Sequence, residues 1–255
     1  MIFNPFMALI LVGASASLLG VFVLWKKLSY FGDAISHSIL LGAALGAVFS
    51  LDQNLSLVFF ALLFALLVGI ATKTRHFSKD TIITISSYFC IALAIVTNDL
   101  TGKDLDFSNY LFGDIAAVSS FDIYGLAAIV LTVILFTIFA FKKILLMNLA
   151  PDLAKIEGVK ITAWNLSFLV LLTIAVAVSV QIVGVLLMTA LLVLPAAIAR
   201  LFSSSALQML WLSLLISIVV CAFSGLIASY YQISPSALTV LIFGVIFMPT
   251  LLIKK

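Results

Sequence analysis

Apolar runs of about twenty residues recur along this chain, joined by short polar connections. A helix needs about 20 apolar residues to cross a hydrocarbon core of about 30 Å. In lipid every backbone polar group must be satisfied, which restricts spanning segments to helices or closed barrels. The runs at 6–25, 34–50, 55–72, 81–97, 119–141, 161–181, 184–199, 206–229 and 236–253 read as candidate spans. Strand-like alternation is absent, so a barrel is disfavoured. Composition agrees: 65% of the 255 residues are hydrophobic and 9% charged, against about a quarter charged in soluble domains. The expected fold is all-α, a polytopic transmembrane helical bundle of about 8–9 spans forming one domain over 1–255.

One division needs argument. Residues 165–199 are almost continuously apolar. As one straight helix they would run for about 50 Å, too long for a single span. Gln181 and Gly184 offer the break, as a tight hairpin or a broken helix. Eight spans remain if two segments merge or one enters only halfway.

Basic residues set the orientation. Nine spans with an outer N-terminus place 12 of the 13 Lys and Arg residues inside: Lys26, Lys27, Lys73, Arg75, Lys79, Lys142, Lys143, Lys155, Lys160, Arg200, Lys254 and Lys255. Only Lys103 falls outside. Positive charge concentrates on the cytoplasmic side, which predicts a multi-pass protein of the cell membrane with a cytoplasmic C-terminus. Lys26 and Lys27 follow the run at 6–25 instead of preceding it, as in a first span and unlike a cleavable signal.

Several chemistries lack their residues. There is no G-x-x-x-x-G-K-[ST] loop and no H-E-x-x-H pair. ATP hydrolysis, if coupled to this chain, falls to a separate chain, and no catalytic residues are assigned. Cys90 and Cys221 sit in apolar runs far apart and read as buried small hydrophobes. Nothing suggests a permanently bound cofactor or a nucleic-acid partner.

The most informative stretch is Ser29-Tyr30-Phe31-Gly32-Asp33-Ala34-Ile35-Ser36-His37. Asp33 and His37 are four apart, which puts them on one helix face. An ionisable residue within a bilayer costs about 2.5–3.5 kcal/mol on insertion scales, so two together imply mutual pairing or a hydrated path. A carboxylate and an imidazole also suit zinc or manganese. Spacing alone leaves another reading open: Asp33 as a helix N-cap and His37 bonded to a neighbouring helix. Beyond them, Gly42-Ala43-Ala44-Leu45-Gly46 is a small-residue face for close helix packing. Residues 148–160 read as a short amphipathic helix on the inner face, started at Pro151-Asp152 and stopped at Gly158. It either docks a soluble partner or packs at the interface.

Together these segments resemble the zinc/manganese/iron permease family of ABC importers. The family pattern S-F-x-G-D-A-x-S-H corresponds to Ser29–His37, with Tyr30 in place of Phe. Its Y-L-F-G appears as Tyr110-Leu111-Phe112-Gly113. Its V-G-x-L-L and L-P-A-A-x-A-R elements appear as Val183–Leu187 and Leu194–Arg200. Its P-S-x-A element appears in shortened form as Pro235-Ser236-Ala237, and its inner coupling segment resembles Asp152 to Gly158 at tighter spacing. The resemblance implies a permease subunit that imports a divalent metal ion, zinc first and manganese or iron as alternatives, as transported substrate. It implies Asp33 and His37 facing the path as a transient metal site. It further implies a homodimer of permease chains and an extracellular or periplasmic metal-binding protein. Cytoplasmic ABC ATPase subunits would dock against a coupling segment at 149–159 through Asp152, Ala154 and Gly158. Pro195, inside a span, would either permit a bend during transport or set a static kink. A permease for chelated ligands, a secondary ion carrier or a membrane enzyme are the competing readings; the carrier predicts inverted repeats, which are not evident.

Overall fold

The computed structural model describes residues 3–72, 77–102 and 107–253. Lys73, Arg75, Lys103, Lys254 and Lys255, all part of the charge argument, lie outside the described residues. The helices are α1 (Phe3–Trp25), α2 (Phe31–Val48), α3 (Gln53–Ala71), α4 (Lys79–Thr101), α5 (Ser108–Phe112), α6 (Ser120–Leu149), α7 (Pro151–Ile156), α8 (Ile161–Phe202), α9 (Ala206–Tyr231) and α10 (Pro235–Ile253). Among the described residues there is no strand. All but α5 and α7, eight helices in total, are long and apolar enough to cross a membrane.

The polar connections start these helices by capping them. Asp52 accepts from the Leu55 N–H, Ser78 from Thr81 and Ser205 from Gln208. Ser119 and Asp122 form a reciprocal capping box at α6. Two boundaries differ from expectation. Helix α2 begins at Phe31, which places Asp33 inside its first turn. Helix α6 continues to Leu149, eight residues past the expected end, and so carries Lys142 and Lys143 on a helix.

The longest helix settles the question of span number. Gly184 has φ 81° and ψ 162°, which is not helical. A straight helix would hold Phe168 and Leu192 about 36 Å apart. Yet the Phe168 ring lies 6.1 Å from that of Phe22, and the Leu192 carbonyl oxygen would lie 1.9 Å from a Cβ added at Gly20. Both therefore flank the same turn of α1, and α8 must fold back sharply at Gly184. Its two limbs lie side by side, giving nine limbs that run alternately between the two ends of the bundle. Gln181 stays helical, and Pro195, buried in the second limb, is not where the chain reverses.

The two ends differ in charge. All eight basic residues among the described ones lie at the end where α1 finishes and α2 begins: Lys26, Lys27, Lys79, Lys142, Lys143, Lys155, Lys160 and Arg200. The start of α1 lies at the other end and the finish of α10 at the basic end.

Helix α1 is the central post, packed against α6, α8 and α9. Among lipid tails, apolar side chains gain little from burial against one another, and small residues and interhelical hydrogen bonds hold helices together. The contacts follow that rule. Ser213 and Ser217 of α9 donate to the Ser17 and Gly13 carbonyls of α1, at 3.1 and 2.8 Å. The expected small-residue face of α2 meets α3, where Ser56 Oγ donates to the Gly42 carbonyl at 2.7 Å.

Candidate functional site

Helix α2 presents Asp33 and His37 toward α4. Tyr30 holds the N-cap position without a side-chain cap bond, so the capping role considered for Asp33 is not taken. Its carboxylate instead sits in the first turn, where the positive end of the helix dipole favours negative charge. The side chain of His37 is 18% exposed and that of Asp33 45%.

His37 Nδ1 lies 2.6 Å from the hydroxyl of Ser87, a buried residue of α4. The same nitrogen lies 3.6 Å from Asp33 Oδ2. That gap is too wide for a good hydrogen bond but fits a shared cation. Two metal bonds of about 2.1 Å across it would open at about 118°, near the tetrahedral angle. The arrangement supplies one nitrogen and one carboxylate oxygen, with a hydroxyl alongside. Among the described residues no cluster of three or more His, Cys, Asp or Glu could hold a metal ion. The pair by itself offers a divalent cation two protein donors, with any further coordination left to other groups or water. Ser87 had no signal in the sequence, because only the packing of α4 on α2 brings it across 50 residues to His37.

The other motif segments converge at the far end of the bundle. Gly113, with φ 70°, meets the break in α8: a Cβ there would lie 2.4 Å from the Gly184 nitrogen. Ser236 Oγ donates to the Val183 carbonyl at 3.2 Å. Tyr110 accepts a hydrogen bond from the Gln53 side chain at the start of α3. Three separate sequence motifs thus form one clasp around the α8 reversal.

At the basic end, α7 is shorter than the expected 148–160 helix. It covers Pro151–Ile156, and Gly158, with φ 73°, turns the chain into α8. Asp152 pairs with Lys155 at 3.0 Å on the exposed side. Ala154 is fully buried in its own chain, so it seats the helix, while Leu153 and Ile156 are the apolar side chains that point outward.

A family profile described as the ABC 3 transport family matches residues 1–254. The chain belongs to that family. Over 248 residues it is 34% identical to the high-affinity zinc uptake system membrane protein ZnuB of Buchnera aphidicola subsp. Schizaphis graminum, covering 96% of this chain and 94% of that protein. It is 31% identical over 210 residues to the manganese import system permease protein ScaB of Streptococcus parasanguinis, covering 82% and 75%. The solved structure of PsaBC from Streptococcus pneumoniae in complex with Fab superposes with a TM-score of 0.83 at 29% identity, covering 97% of this chain and 89% of that one. As a member of the ABC 3 transport family, the chain is a multi-pass membrane permease subunit of an ABC importer and not an enzyme.

Proposed function

We propose that this permease carries zinc across the cell membrane, with Asp33 and His37 as the point where the ion pauses. The observation that carries the reading is the 3.6 Å separation of Asp33 Oδ2 and His37 Nδ1, a two-ligand grip near the bundle's basic end. Zinc accepts both donor types at the distances this gap allows. The similarity to ZnuB favours zinc over other divalent ions. Manganese is the second reading, favoured by the oxygen donors of Asp33 and Ser87 and by the similarity to ScaB.

The basic end is the cytoplasmic one under the positive-inside rule, which puts the C-terminus in the cytoplasm. Helix α7 then faces the ATPase. Asp152 and Lys155 are exposed there, Ala154 anchors the helix and Gly158 sets its turn. A second permease chain and a metal-binding protein at the opposite face complete the importer.

The deciding experiment is uptake of zinc, manganese and iron, in parallel, by cells expressing the wild-type chain or its Asp33→Ala and His37→Ala variants. Both variants should insert and assemble yet accumulate zinc at no more than background. Normal zinc uptake in both would remove the pair from the path. Selective loss of manganese uptake would replace zinc by manganese.

A further inference from the structure

A cavity of about 540 Å³ opens at the basic end, between the finish of α1 and α3 and the start of α4 and α8. Its polar part is formed by Lys26, Thr72, Lys79, Asn148, Thr162 and Asn165, and no acidic residue lines it among the described residues. Lys26 Nζ donates to Asn165 Oδ1 and stands 5.5 Å from the centre of the Phe168 ring. Among the described residues neither Lys26 nor Lys79 forms an ion pair. A part-buried ammonium, Lys26, and an exposed one at the cavity mouth, Lys79, thus line one space with no counter-charge among the described residues. Burial first, and then the charge of Lys79, pull the Lys26 ammonium down to about 8, a penalty that an anion in the cavity would relieve.

The rest of the wall is apolar, and it is exposed. Leu66 and Ile70 of α3 and Leu166 of α8 line the cavity and are 42%, 63% and 46% exposed on the bundle surface. The polar floor therefore continues into an exposed apolar surface of spanning helices, of the kind that lipid tails can cover. A soluble partner's acidic side chain could reach the lysines but would gain nothing from this wall. A phosphate carrying acyl chains uses both parts. Basic pockets between spanning helices on the cytoplasmic side are suited to anionic headgroups.

We propose that this cavity binds the phosphate of an anionic membrane phospholipid, held by Lys26 and Lys79 with the chains laid along Leu66, Ile70 and Leu166. The ligand is an oxyanion and not the transported cation, so the proposal is tested without reference to metal uptake.

The test is native mass spectrometry of the full-length chain, stripped of lipid in detergent and titrated with phosphatidylglycerol, phosphatidylcholine or inorganic phosphate. Phosphatidylglycerol should be retained in preference to phosphatidylcholine. The double variant Lys26→Gln/Lys79→Gln should retain it about 30-fold less, from two lost lysine contacts. The exposed neighbour Lys27→Gln should bind as the wild type does, and Lys26→Arg/Lys79→Arg should restore binding, which separates charge loss from misfolding. Undiminished phosphatidylglycerol retention by the double Gln variant overturns the proposal. So does inorganic phosphate that displaces the lipid at low millimolar concentration, which would assign the cavity to the free ion. Loss of ATPase co-purification in the Gln variant with lipid retention intact would assign it to a protein contact instead.

Discussion

Gly184→Ala should break the clasp at the α8 reversal, and the structure separates two causes. The first is backbone strain. At φ 81° and ψ 162° Gly184 occupies a region open essentially to glycine alone, and forcing a side chain there costs about 1–3 kcal/mol. The second is overlap. The new Cβ would lie 2.4 Å from the Phe112 carbonyl carbon and 2.6 Å from the Leu111 carbonyl oxygen. These are main-chain atoms, so they cannot rotate away, and α5 would have to shift by about 1 Å at an overpacking cost of about 1–3 kcal/mol. The sum, about 2–6 kcal/mol, is a large part of the 5–15 kcal/mol that holds a typical fold together. Gly102 provides the control. It too has a positive φ, 59°, but a Cβ there meets nothing within 4 Å, so Gly102→Ala should cost only the left-handed penalty of about 1–2 kcal/mol. Melting of detergent-solubilised protein, followed by size-exclusion chromatography, should show Gly184→Ala well below Gly102→Ala, which itself lies slightly below wild type. Equal melting of the two alanine variants would refute the overlap argument and with it the clasp.

Other expectations follow from single contacts. Ser87→Ala removes the hydroxyl beside His37 Nδ1; the loss of about 1 kcal/mol should raise the KM for zinc uptake about five-fold with the maximal rate nearly unchanged, as read by radiometal uptake. Ile156 is 82% exposed, so Ile156→Asp should leave the melting of the permease unchanged while abolishing ATPase co-purification, whereas Ala154→Asp, at a fully buried position, should destabilise the permease itself. Lys26 titrates at about 8 because burial, and next the charge of Lys79, disfavour its ammonium form; a phosphate binds the protonated form, so phosphatidylglycerol retention should be level up to about pH 8 and fall about five-fold above it, with one lysine contact of about 1 kcal/mol lost. Lys79 is the only other titratable group lining that cavity among the described residues, and level retention to pH 9.5 would exclude Lys26 from the contact.

The lengths of the apolar runs forecast the helices because lipid leaves the backbone no alternative to satisfying itself within each segment. The break in α8 was legible for the same reason: a 50 Å apolar run exceeds the bilayer, and Gly184 is the residue there that tolerates a positive φ. What local pattern could not show was how distant segments meet. The Tyr110–Gly113 and Val183–Leu187 motifs read as separate signatures, yet Gly113 and Gly184 exclude side chains from one another. Asp33 and His37 were legible through their four-residue spacing, while Ser87 was not, since one serine among many in apolar helices has no periodicity to mark it. The short α7 differed because amphipathic pattern across 148–160 counted residues that belong to α6 and to the Gly158 turn.

The placement of the pair near the basic end bears on how such a permease can work. A tight site of three or four ligands would hold a zinc ion with about 10–16 kcal/mol in structural centres, and emptying it toward the cytoplasm would require comparable energy. At the proposed site two protein ligands, one of them half-exposed, would leave the remaining coordination to water, so the ion would keep part of its hydration shell. The packing beside the pair is close: a Cβ at Gly32 would lie 2.5 Å from the Leu192 side chain, and Gly20 of α1 meets the main chain of the same residue. The second α8 limb therefore packs closely on the first turn of α2, one residue from Asp33. At its far end that limb starts from the clasp at Gly113 and Gly184. Contacts thus run unbroken from the clasp, along the second α8 limb, to the turn that carries Asp33, and a rearrangement of the clasp that tilted the limb would reach the carboxylate of the proposed site.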